Sequence, residues 1–523
     1  HADLLPYLVR RLLENGANTS FVNRIADETV PLEKVAVDPV AVLRAMKSIP
    51  NPRIALPPDL FSPERKNSTG LSFADAVQWR KLKNDLSQAM QPEQWRATSL
   101  VMGVTPKAKA QGLTNPANRQ QEIGSVVEAS GEDVEAALKN ASRSADQWNN
   151  VPAAGRAEIL ERAADLLEAD RAELIALLVR EAGKTIPDAL SELREAVDFL
   201  RYYAAQARKL FGAAEILSGP TGESNQLSLH GRGVFVCISP WNFPLAIFVG
   251  QIAAALAAGN CVIAKPAEQT PLIAFAAVKI LHQAGVPTEV LALLPGAGAT
   301  VGGALIKDAR INGVVFTGST ETAQAINRSL AARQGALIPF IAETGGINAL
   351  VADSSALPEQ IVNDVMASAF NSAGQRCSAC RVLFVQQEIA DRVLHLLQSA
   401  LGEWMIGDPA QLTTDIGPVI DADALELLKN HQKKMRELAS KGEAKVVYEM
   451  PLPPGIEQGT FSAPCIYELK HFDQLESEVF GPILHVIRFG ANELEKVIAS
   501  INAKGFGLTL GLHSRIDDHI EMV

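Results

Sequence analysis

The sequence has few cysteines, few aromatic residues and no surplus of basic charge. Its five cysteines among 523 residues are an odd number, which argues against a disulfide framework and favours a reducing compartment. The formal net charge is −11 and lysine and arginine form no dense cluster, so nucleic acid is not an expected partner. The chain opens with His1-Ala-Asp and lacks a basic and then apolar leader, so we expect no signal peptide.

The sequence also lacks an uninterrupted apolar run of membrane-spanning length. Residues 233–264 carry no charge, but Pro240, Pro244, Gln251 and Asn260 interrupt them. A lipid-facing helix needs about 20 consecutive, predominantly apolar residues. We therefore interpret this stretch as a strand, a loop, a buried helix and a second strand, and we expect a soluble protein with no transmembrane segment.

Short β-rich runs alternate with helical segments in the middle of the chain. The predicted strands are 234–238, 262–264, 290–294, 314–317 and 340–342. The predicted helices between them are 246–258, 272–285, 299–308 and 321–333. Flanking helices are predicted from a capping box at Ser130, over 157–180, over 188–210 and over 358–372, with a further strand at 382–386. This alternation predicts an α/β fold, with a parallel sheet covered by helices on both faces.

The turn Asn371-Ser-Ala-Gly-Gln-Arg-Cys377 places a cysteine just before an apolar strand. A nucleophilic cysteine needs such an exposed, polar setting, and Arg376 is placed to favour its thiolate. A surface loop with an incidental cysteine is the alternative. Cys377 also forms a CxxC with Cys380, but no second pair or nearby histidine supports zinc, so no metal is expected and a redox dithiol stays open.

Asn242 and Glu343 are the candidate partners of this cysteine. Asn242, in the segment Pro240-Trp-Asn-Phe-Pro244, follows a strand and offers an amide donor for an oxyanion, although an Asx turn is also compatible. Glu343 lies at a strand end before two glycines. Because no histidine lies near Cys377 in the sequence, Glu343 is the better candidate base, with helix capping as the alternative.

Two segments suit a dinucleotide. Lys265 and Glu268 follow a strand, and the glutamate suits a ribose 2′-hydroxyl while repelling a 2′-phosphate, which favours NAD over NADP. A surface ion pair is the alternative. The run Phe316-Thr-Gly-Ser319 predicts a glycine turn before a helix, which suits a phosphate, although Ala323 breaks the dinucleotide fingerprint. By contrast, Ala182-Gly-Lys-Thr185 ends like a phosphate-binding loop, but Leu178 replaces its first glycine.

In this order the segments resemble the motifs of the aldehyde dehydrogenase superfamily. The matching motifs are PWNFP, KPAEQTP, FTGST, ETGG, GQRC and Glu478-Val-Phe-Gly-Pro482. Within it, the chain is most similar to the bacterial proline utilization A family of bifunctional enzymes. Residues 7–20 resemble the last helix of that family's FAD-dependent proline dehydrogenase barrel, with Arg10 and Arg11 where the family binds the proline carboxylate.

The resemblance implies NAD-dependent oxidation of L-glutamate γ-semialdehyde to L-glutamate. Cys377 attacks the aldehyde, Asn242 and the Cys377 N–H hold the oxyanion, and Glu343 activates the water that hydrolyses the thioester. The residues implied in cofactor binding are Ile238, Trp241, Lys265, Glu268, Gly298, Gly318, Ser319, Glu478 and Phe480. Phe243 and Ser378 are implied as substrate contacts.

The resemblance also implies a domain layout. It assigns residues 1–25 to the barrel helix, 26–95 to a linker or wrapping segment, 96–343 to a Rossmann-like NAD domain and 344–523 to an α/β catalytic domain. That domain is expected to be incomplete, because the family's glycine-rich segment that anchors the substrate carboxylate follows beyond Val523. An inactive NAD-binding fragment is therefore the alternative.

The remaining expectations concern location and partners. We expect a bacterial cytoplasmic protein that acts on a small-molecule aldehyde. For the longer protein, the resemblance implies bound FAD, a homo-oligomer and peripheral association with the inner membrane.

Overall fold

The structure is a computed structural model that describes residues 9, 25–27, 29–49, 51, 53–90, 95–105 and 108–523. The chain forms two compact units, residues 1–60 and residues 61–523. The described part of the first unit has two short helices, α1 (Leu32–Val35) and α2 (Pro39–Ala45), and a 3₁₀ turn at Pro57–Asp59. Asp38 caps α2, because its side chain accepts a hydrogen bond from the Val40 N–H.

The second unit begins with helices that surround its first large sheet. They are α3 (Ala76–Ala89), α4 (Gly131–Asn149), α5 (Ala153–Ala169), α6 (Arg171–Ala182) and α7 (Ile186–Phe211). The capping box predicted at Ser130 is confirmed, since Ser130 and Asp133 each accept a hydrogen bond from the other's backbone N–H. Helix α3 buries Leu82 and Leu86, so the stretch 26–95 contains a longer packed helix than its Pro- and Asn-rich composition indicates.

The first large sheet is wholly parallel. Its strands are β6 (Val234–Ile238), β7 (Cys261–Lys265), β8 (Leu291–Leu293), β9 (Gly313–Gly318) and β10 (Phe340–Thr344). They lie in the order β10-β9-β6-β7-β8. Strands are added to one side of β6 as far as β8 and then to its other side from β9, so the strand order reverses between β6 and β9. In open sheets of this kind, ligands bind beyond the carboxyl ends of the strands at the reversal point.

Helices connect these strands, as the alternation predicted. They are α8 (Ala246–Ala257), α9 (Pro271–Ala284), a π-helical turn at Gly298–Gly302 that leads into α10 (Gly303–Lys307), and α11 (Thr320–Ala331). Buried carboxylates cap two of them: Glu181 accepts from two N–H groups at the start of α9, and Glu192 accepts from two at the start of α8. Negative charge at a helix N-terminus is stabilising.

The second large sheet contains the predicted strand at 382–386. Its strands are β11 (Ala349–Ala352), β12 (Val382–Gln386), β13 (Ala444–Glu449), β14 (Cys465–Leu469), β15 (Ile483–Phe489) and β16 (Leu510–His513). The order is β13-β14-β15-β12-β11-β16, and only β13 runs antiparallel to its neighbour. The helices that follow β10 are α12 (Pro358–Phe370), α13 (Gln387–Gly402), α14 (Ala422–Ser440), α15 (Leu494–Ala503) and α16 (Asp517–Met522).

Two small sheets complete this unit. One has the order β1-β3-β2, formed by Trp95–Ala97, Asn118–Val126 and Gln111–Asn115. The other is a two-stranded ribbon of β4 (Glu215–Leu217) and β5 (Asn225–Leu227). Short 3₁₀ turns lie at Asn371–Gly374 and Phe472–Gln474. Of the helices that the structure describes, none is long and apolar enough to cross a membrane.

One helix prediction was wrong in its length. The sequence predicts a single helix over 157–180, but α5 ends at Asp170 and α6 begins at Arg171. Six consecutive residues of α6, from Leu174 to Val179, are buried. A helix that is buried on all sides must run through the core, whereas a helix with a single apolar face lies on its surface. The chain therefore bends between the two helices at Asp170, whose backbone is not helical.

A pair of neutral histidines lies in the core of the second large sheet. The Nε2 atoms of His431 and His485 are 2.9 Å apart, and His485 Nδ1 lies 3.1 Å from the Arg381 carbonyl oxygen. Because a carbonyl only accepts, His485 donates through Nδ1 and accepts from His431 through Nε2. Burial lowers the pKa of His431 to about 4 and that of His485 to about 3.

This pair predicts a loss of stability in mild acid. Both pKa values lie below the ordinary value of 6.5. Between pH 6.5 and about 4, the two histidines are therefore protonated in the unfolded chain but stay neutral in the folded chain. The contribution of the pair to the free energy of unfolding is therefore fully present above pH 6.5. Below that pH it falls by about 1.4 kcal/mol per pH unit for each proton taken up. In chemical denaturation from pH 7 to 4, the variant His431→Gln/His485→Gln should show a flatter dependence than wild type. Equal slopes would contradict the prediction.

Candidate active site

The cysteine turn connects α12 to β12 through an unusual backbone. Ser372 and Ala373 both have φ of 54°, and Gly374 has φ of 66°, so three consecutive residues occupy the left-handed region. Only glycine adopts this region without strain, and such strain is typical of functional sites. At Gly374 a side chain is also excluded by contact, because a Cβ there would collide with the Gly481 carbonyl.

Cys377 is half-buried, and the Arg376 charge that was expected to favour its thiolate is paired with a carboxylate. Arg376 Nη2 lies 2.6 Å from Asp188 Oδ1, so the arginine charge is already paired. Burial and the nearby Glu478 carboxylate raise the pKa of the Cys377 thiol, whereas the backbone N–H groups of Ser378 and Cys377 and the Arg381 charge lower it. On balance the pKa of the Cys377 thiol is raised, so the backbone N–H groups and Arg381 offset only part of the effect of burial and of Glu478.

Cys380 is poorly suited to act as a redox partner. Its thiol is buried and points at the Val382 carbonyl oxygen, 3.4 Å away. Burial raises the pKa of this thiol to about 12, so it carries almost no thiolate at neutral pH. Disulfide exchange proceeds through a thiolate.

Asn242 faces the cysteine turn across a small cavity. The cavity is lined by Ala182, Gly183, Lys184, Trp241, Asn242, Ser372 and Gln375. Asn242 is 8% exposed, and its side-chain amide makes no hydrogen bond to another residue of the described chain. A buried amide without a partner is a costly arrangement unless a ligand completes it. Its donor is thus free for an oxyanion that forms beside this turn.

The loop that carries Asn242 is held by buried charge. The Glu192 carboxylate, 1% exposed, accepts hydrogen bonds from the N–H groups of Leu245 and Ala246 at 2.8 and 3.2 Å. Its other oxygen lies 2.8 Å from Lys184 Nζ, and that ammonium lies 4.5 Å from the centre of the Phe243 ring. Lys184 belongs to the segment Ala182-Gly-Lys-Thr185, which ends like a phosphate-binding loop. In the structure this segment forms a wall of the site.

Glu343 occupies the carboxyl end of edge strand β10. Its carboxylate is exposed and makes no hydrogen bond within the described chain, which agrees with a movable base and not with a helix cap. The structure does not bring Glu343 into contact with Cys377. It does connect the segment that follows, because Asn348 Nδ2 donates to the Cys377 carbonyl oxygen at 2.6 Å.

Glu478 and Phe480 lie beside Trp241 and the cysteine turn. The Phe480 and Trp241 rings meet edge to face, with centroids 5.4 Å apart. Glu478 Oε1 accepts from Arg381 Nη2 at 2.9 Å, and burial raises the pKa of Glu478 while Arg381 lowers it. The segment 478–482 is therefore in direct contact with the nucleophile turn.

A second cavity of about 510 Å³ opens at the reversal point of the parallel sheet. Its lining includes Ile238, Lys265, Gly298 and residues of α10 and α11. Lys265 makes no salt bridge in the described chain, and its Nζ donates to the Pro266 carbonyl oxygen at 2.9 Å. Burial lowers the pKa of Lys265. The surface ion pair considered from the sequence is therefore not formed.

The residues around this cavity suit the ribose and the phosphate of one half of a dinucleotide. The exposed Glu268 accepts from the Gly298 N–H at 2.5 Å, which leaves its second oxygen available for a hydroxyl. Ser319 caps α11 directly after Gly318, so backbone N–H groups of a helix start face the opening. A mainly apolar cavity with a carboxylate at one side and a helix N-terminus at another fits an adenosine phosphate.

The remaining predicted residues divide into those that the structure describes and those that it does not. Phe243 lies in the cavity loop between Lys184 and Arg376, with both cations within 6.0 Å of its ring centre. Ser378 is exposed, and its carbonyl accepts from the Thr509 hydroxyl. Arg10, Arg11 and most of the predicted barrel helix lie outside the described residues.

Four further residues of the site were missed from the sequence. They are Asp188, Glu192, Asn348 and Arg381, which hold the cysteine turn or the Asn242 loop. Asp188 and Glu192 lie four residues apart on α7, among many other charged residues, so no local signal marks them. No local signal distinguishes Arg381 from an exposed arginine before a strand.

The sequence profile of the aldehyde dehydrogenase family matches residues 104–523. The chain belongs to the aldehyde dehydrogenase family. Its parallel-sheet α/β architecture is that family's fold, as the motifs predicted.

Two curated relatives and one solved structure indicate its place in the family. Bifunctional protein PutA of Klebsiella aerogenes is 50% identical over 100% of this chain and 40% of its own length. The 1-pyrroline-5-carboxylate dehydrogenase of Geobacillus thermodenitrificans is 35% identical over 78% of each chain. The structure of 1-pyrroline-5-carboxylate dehydrogenase from Thermus with bound NAD matches with a TM-score of 0.81 at 30% identity, covering 87% of this chain and 88% of that one. This chain thus spans less than half the length of the PutA relative.

Proposed function

We propose that this chain oxidises L-glutamate γ-semialdehyde to L-glutamate with NAD, the second step of proline catabolism. This aldehyde is the ring-opened form of 1-pyrroline-5-carboxylate, the compound in the name of the Geobacillus and Thermus relatives. The observation that carries the proposal is the unpartnered Asn242 amide facing the turn of a half-buried cysteine.

The first step is attack of the Cys377 sulfur on the aldehyde carbon. A C–S bond forms, and the carbonyl oxygen takes the electron pair. The Asn242 amide and the Cys377 N–H donate to this oxygen, and such donors lower the barrier most when they are fixed beforehand. Asn242 is 8% exposed, so its donor is largely shielded from bulk water, and an electrostatic interaction is stronger in such a region.

Lys265, Glu268, Ser319, Glu478 and Phe480 are the residues that would hold NAD. Glu268 would accept from an adenosine ribose hydroxyl, Ser319 and the start of α11 would face phosphate, and the Phe480 ring would pack near the nicotinamide. Bound NAD supplies a hydride acceptor, which allows the carbonyl to re-form as a thioester on Cys377.

Hydrolysis then requires a base, and Glu343 is our candidate. A water molecule loses a proton to the carboxylate and adds to the thioester carbon. The C–S bond breaks, which releases the carboxylate product and restores the thiolate. Because Glu343 lies exposed at the end of β10, this assignment requires its side chain to reach the thioester during turnover.

A substrate panel tests the proposed function. In the longer protein, which would include the segment expected to anchor the substrate carboxylate, NADH formation should be fastest, in kcat/KM, with L-glutamate γ-semialdehyde, slower with succinate semialdehyde and slowest with butanal, because each comparison removes a charged group. An equal response to all three would contradict the proposed substrate. Calorimetric NAD binding without any turnover would instead support the alternative of an NAD-binding fragment.

Glu268→Gln should weaken the discrimination between NAD and NADP. Glutamine can still accept from the Gly298 N–H, but it no longer repels a 2′-phosphate. We expect the ratio of kcat/KM for NAD to that for NADP to fall about 10- to 100-fold, as expected from loss of one like-charge repulsion. Glu132→Gln, on the exposed start of α4, is the matched control. An unchanged ratio in Glu268→Gln would place the ribose elsewhere.

For the longer protein we propose two activities, as the name of the bifunctional PutA relative suggests. Proline oxidation with FAD would belong to the part outside this chain. Cytoplasmic location, peripheral contact with the inner membrane and a homo-oligomeric state are proposals for that protein. Gel filtration with light scattering and vesicle sedimentation of the full-length protein test the last two.

A further inference from the structure

Arg381 carries a buried positive charge to which the reaction assigns no role. Its side chain is 1% exposed and lies between the cysteine turn and β12. A charge is stable at such a depth only when its donors are satisfied, so its partners indicate what it does.

Half of the guanidinium is occupied by the segment 478–482. Nε and Nη2 donate to Glu478 Oε1 at 3.2 and 2.9 Å, and the Phe480 ring centre lies 5.0 Å from the guanidinium carbon. Glu478 neutralises the charge. Glu478 accepts from only two of the guanidinium N–H groups, so the others need partners of their own.

The other donors hold the cysteine turn through its backbone. Nη1 donates to the Gly374 carbonyl oxygen at 2.6 Å, and Nη2 donates to the Arg376 carbonyl oxygen at 2.8 Å. The Arg376 carbonyl belongs to the same peptide unit as the Cys377 N–H. Because that unit is planar and trans, fixing its oxygen also fixes the direction of the N–H. A hydrogen bond at the oxygen further polarises the N–H as a donor.

The next peptide unit is fixed as well. Asn348 Nδ2 donates to the Cys377 carbonyl oxygen at 2.6 Å and to the Ala379 carbonyl oxygen at 3.0 Å. Other contacts also support the turn, because the Ser372 N–H donates to Asp188 at 3.1 Å and the Arg376 carbonyl oxygen also accepts from the Ala379 N–H at 3.0 Å. Arg381 is the charged donor at that oxygen.

We propose that Arg381 is a positioning residue that fixes and polarises the Arg376–Cys377 peptide, so that the Cys377 N–H is ready as the backbone donor of the oxyanion hole. The inference rests on the proposed function, because it assumes that Cys377 forms a tetrahedral oxyanion. It predicts a defect in acyl chemistry and not in thiol chemistry generally.

Two reagents separate these chemistries without aldehyde or NAD. With p-nitrophenyl acetate, the Cys377 thiolate adds to the ester carbon through an oxyanion, p-nitrophenolate leaves, and an acetyl thioester remains. With iodoacetamide, the thiolate displaces iodide at a saturated carbon, and no oxyanion forms. For each reagent, the rate is measured against pH up to its plateau, which is the rate of the full thiolate, and mass spectrometry identifies the modified residue.

Arg381→Lys is the main variant, because lysine keeps the charge but replaces the rigid fork of three nitrogens, which reaches Glu478 and both carbonyls, by one nitrogen on a flexible stem. We expect its acylation plateau to fall about 10- to 100-fold. This loss is no larger than the loss caused by removal of a direct oxyanion donor. Its alkylation plateau should stay within about threefold of wild type. Arg381→Gln should be as defective or more so, and the lysine variant keeps the test usable if the glutamine variant fails to fold.

Arg488→Lys is the matched control. Arg488 lies on β15 of the same sheet and pairs with Glu468 and Asp391, away from the turn. It should lower the melting temperature without changing either plateau. Asn242→Ala, which removes the side-chain donor, should reproduce the selective acylation defect.

The outcomes distinguish the inference from the proposed function. Parallel losses with both reagents in Arg381→Lys, or no loss with either, would overturn the positioning role. Wild-type protein that is not acylated at Cys377 would overturn it too. Wild-type protein that is acylated selectively but does not oxidise L-glutamate γ-semialdehyde would refute the proposed substrate and leave the positioning role supported.

Discussion

Cys377→Ala is expected to abolish NADH formation from L-glutamate γ-semialdehyde, by about 10⁴-fold or more. Removal of a nucleophile in covalent catalysis has effects of this size, because the remaining donors stabilise an intermediate that no longer forms. The alanine variant should still bind NAD in calorimetry, since the cavity of about 510 Å³ does not include the cysteine turn.

Cys380→Ala is the matched control for this prediction. The Cys380 thiol is buried and faces the Val382 carbonyl, so its loss should lower stability modestly and leave the rate within about threefold of wild type. Equal rates for Cys377→Ala and wild type would show that the nucleophile is another residue. Equal losses in both cysteine variants would favour a redox dithiol.

Glu343→Gln is expected to slow steady-state turnover about 10²- to 10³-fold while retaining a burst. The amide has the shape of the carboxylate but cannot take a proton from water, and general base catalysis contributes about 10²- to 10⁴-fold. Attack by Cys377 and hydride transfer do not use Glu343 in the proposed mechanism. Rapid-mixing measurements should therefore show close to one NADH per chain, followed by a slow phase.

The contrast between burst and steady state decides the role of Glu343. Loss of the burst together with turnover would mean that Glu343 acts before thioester formation. Unchanged turnover would assign the base elsewhere. Glu359→Gln is a suitable control, because Glu359 lies on the surface of α12, paired with Arg392, and its change should affect neither phase.

Much of the fold followed from the sequence because its signals are local. The strand predictions at 234–238, 314–317 and 382–386 and the capping box at Ser130 are confirmed, and each depends on a few neighbouring residues. The helix over 157–180 was wrong because the bend at Asp170 is set by what α6 packs against. Burial of both faces gives no periodic signal.

The candidate site shows the same division. Motif order alone placed Cys377, Asn242 and Lys265 at strand ends or turns, and the cavity beside the cysteine turn brings Asn242 to it. Arg376, which the sequence places beside the thiol, pairs with Asp188, which lies 188 residues earlier in the chain. Sequence proximity to a nucleophile says nothing about whether a charge is already paired.

The sequence by itself determined the family, the α/β class and the identity of the reacting groups, because these depend on residue types in a fixed order. Only the tertiary structure decided which charges are free and which are used to hold the site. Arg381, four residues from the cysteine, looks unremarkable in the sequence, yet it contacts Glu478 97 residues away and two carbonyls of the turn. The physical reason is that a side chain's electrostatic role depends on its partners and its burial, and both are properties of the folded chain.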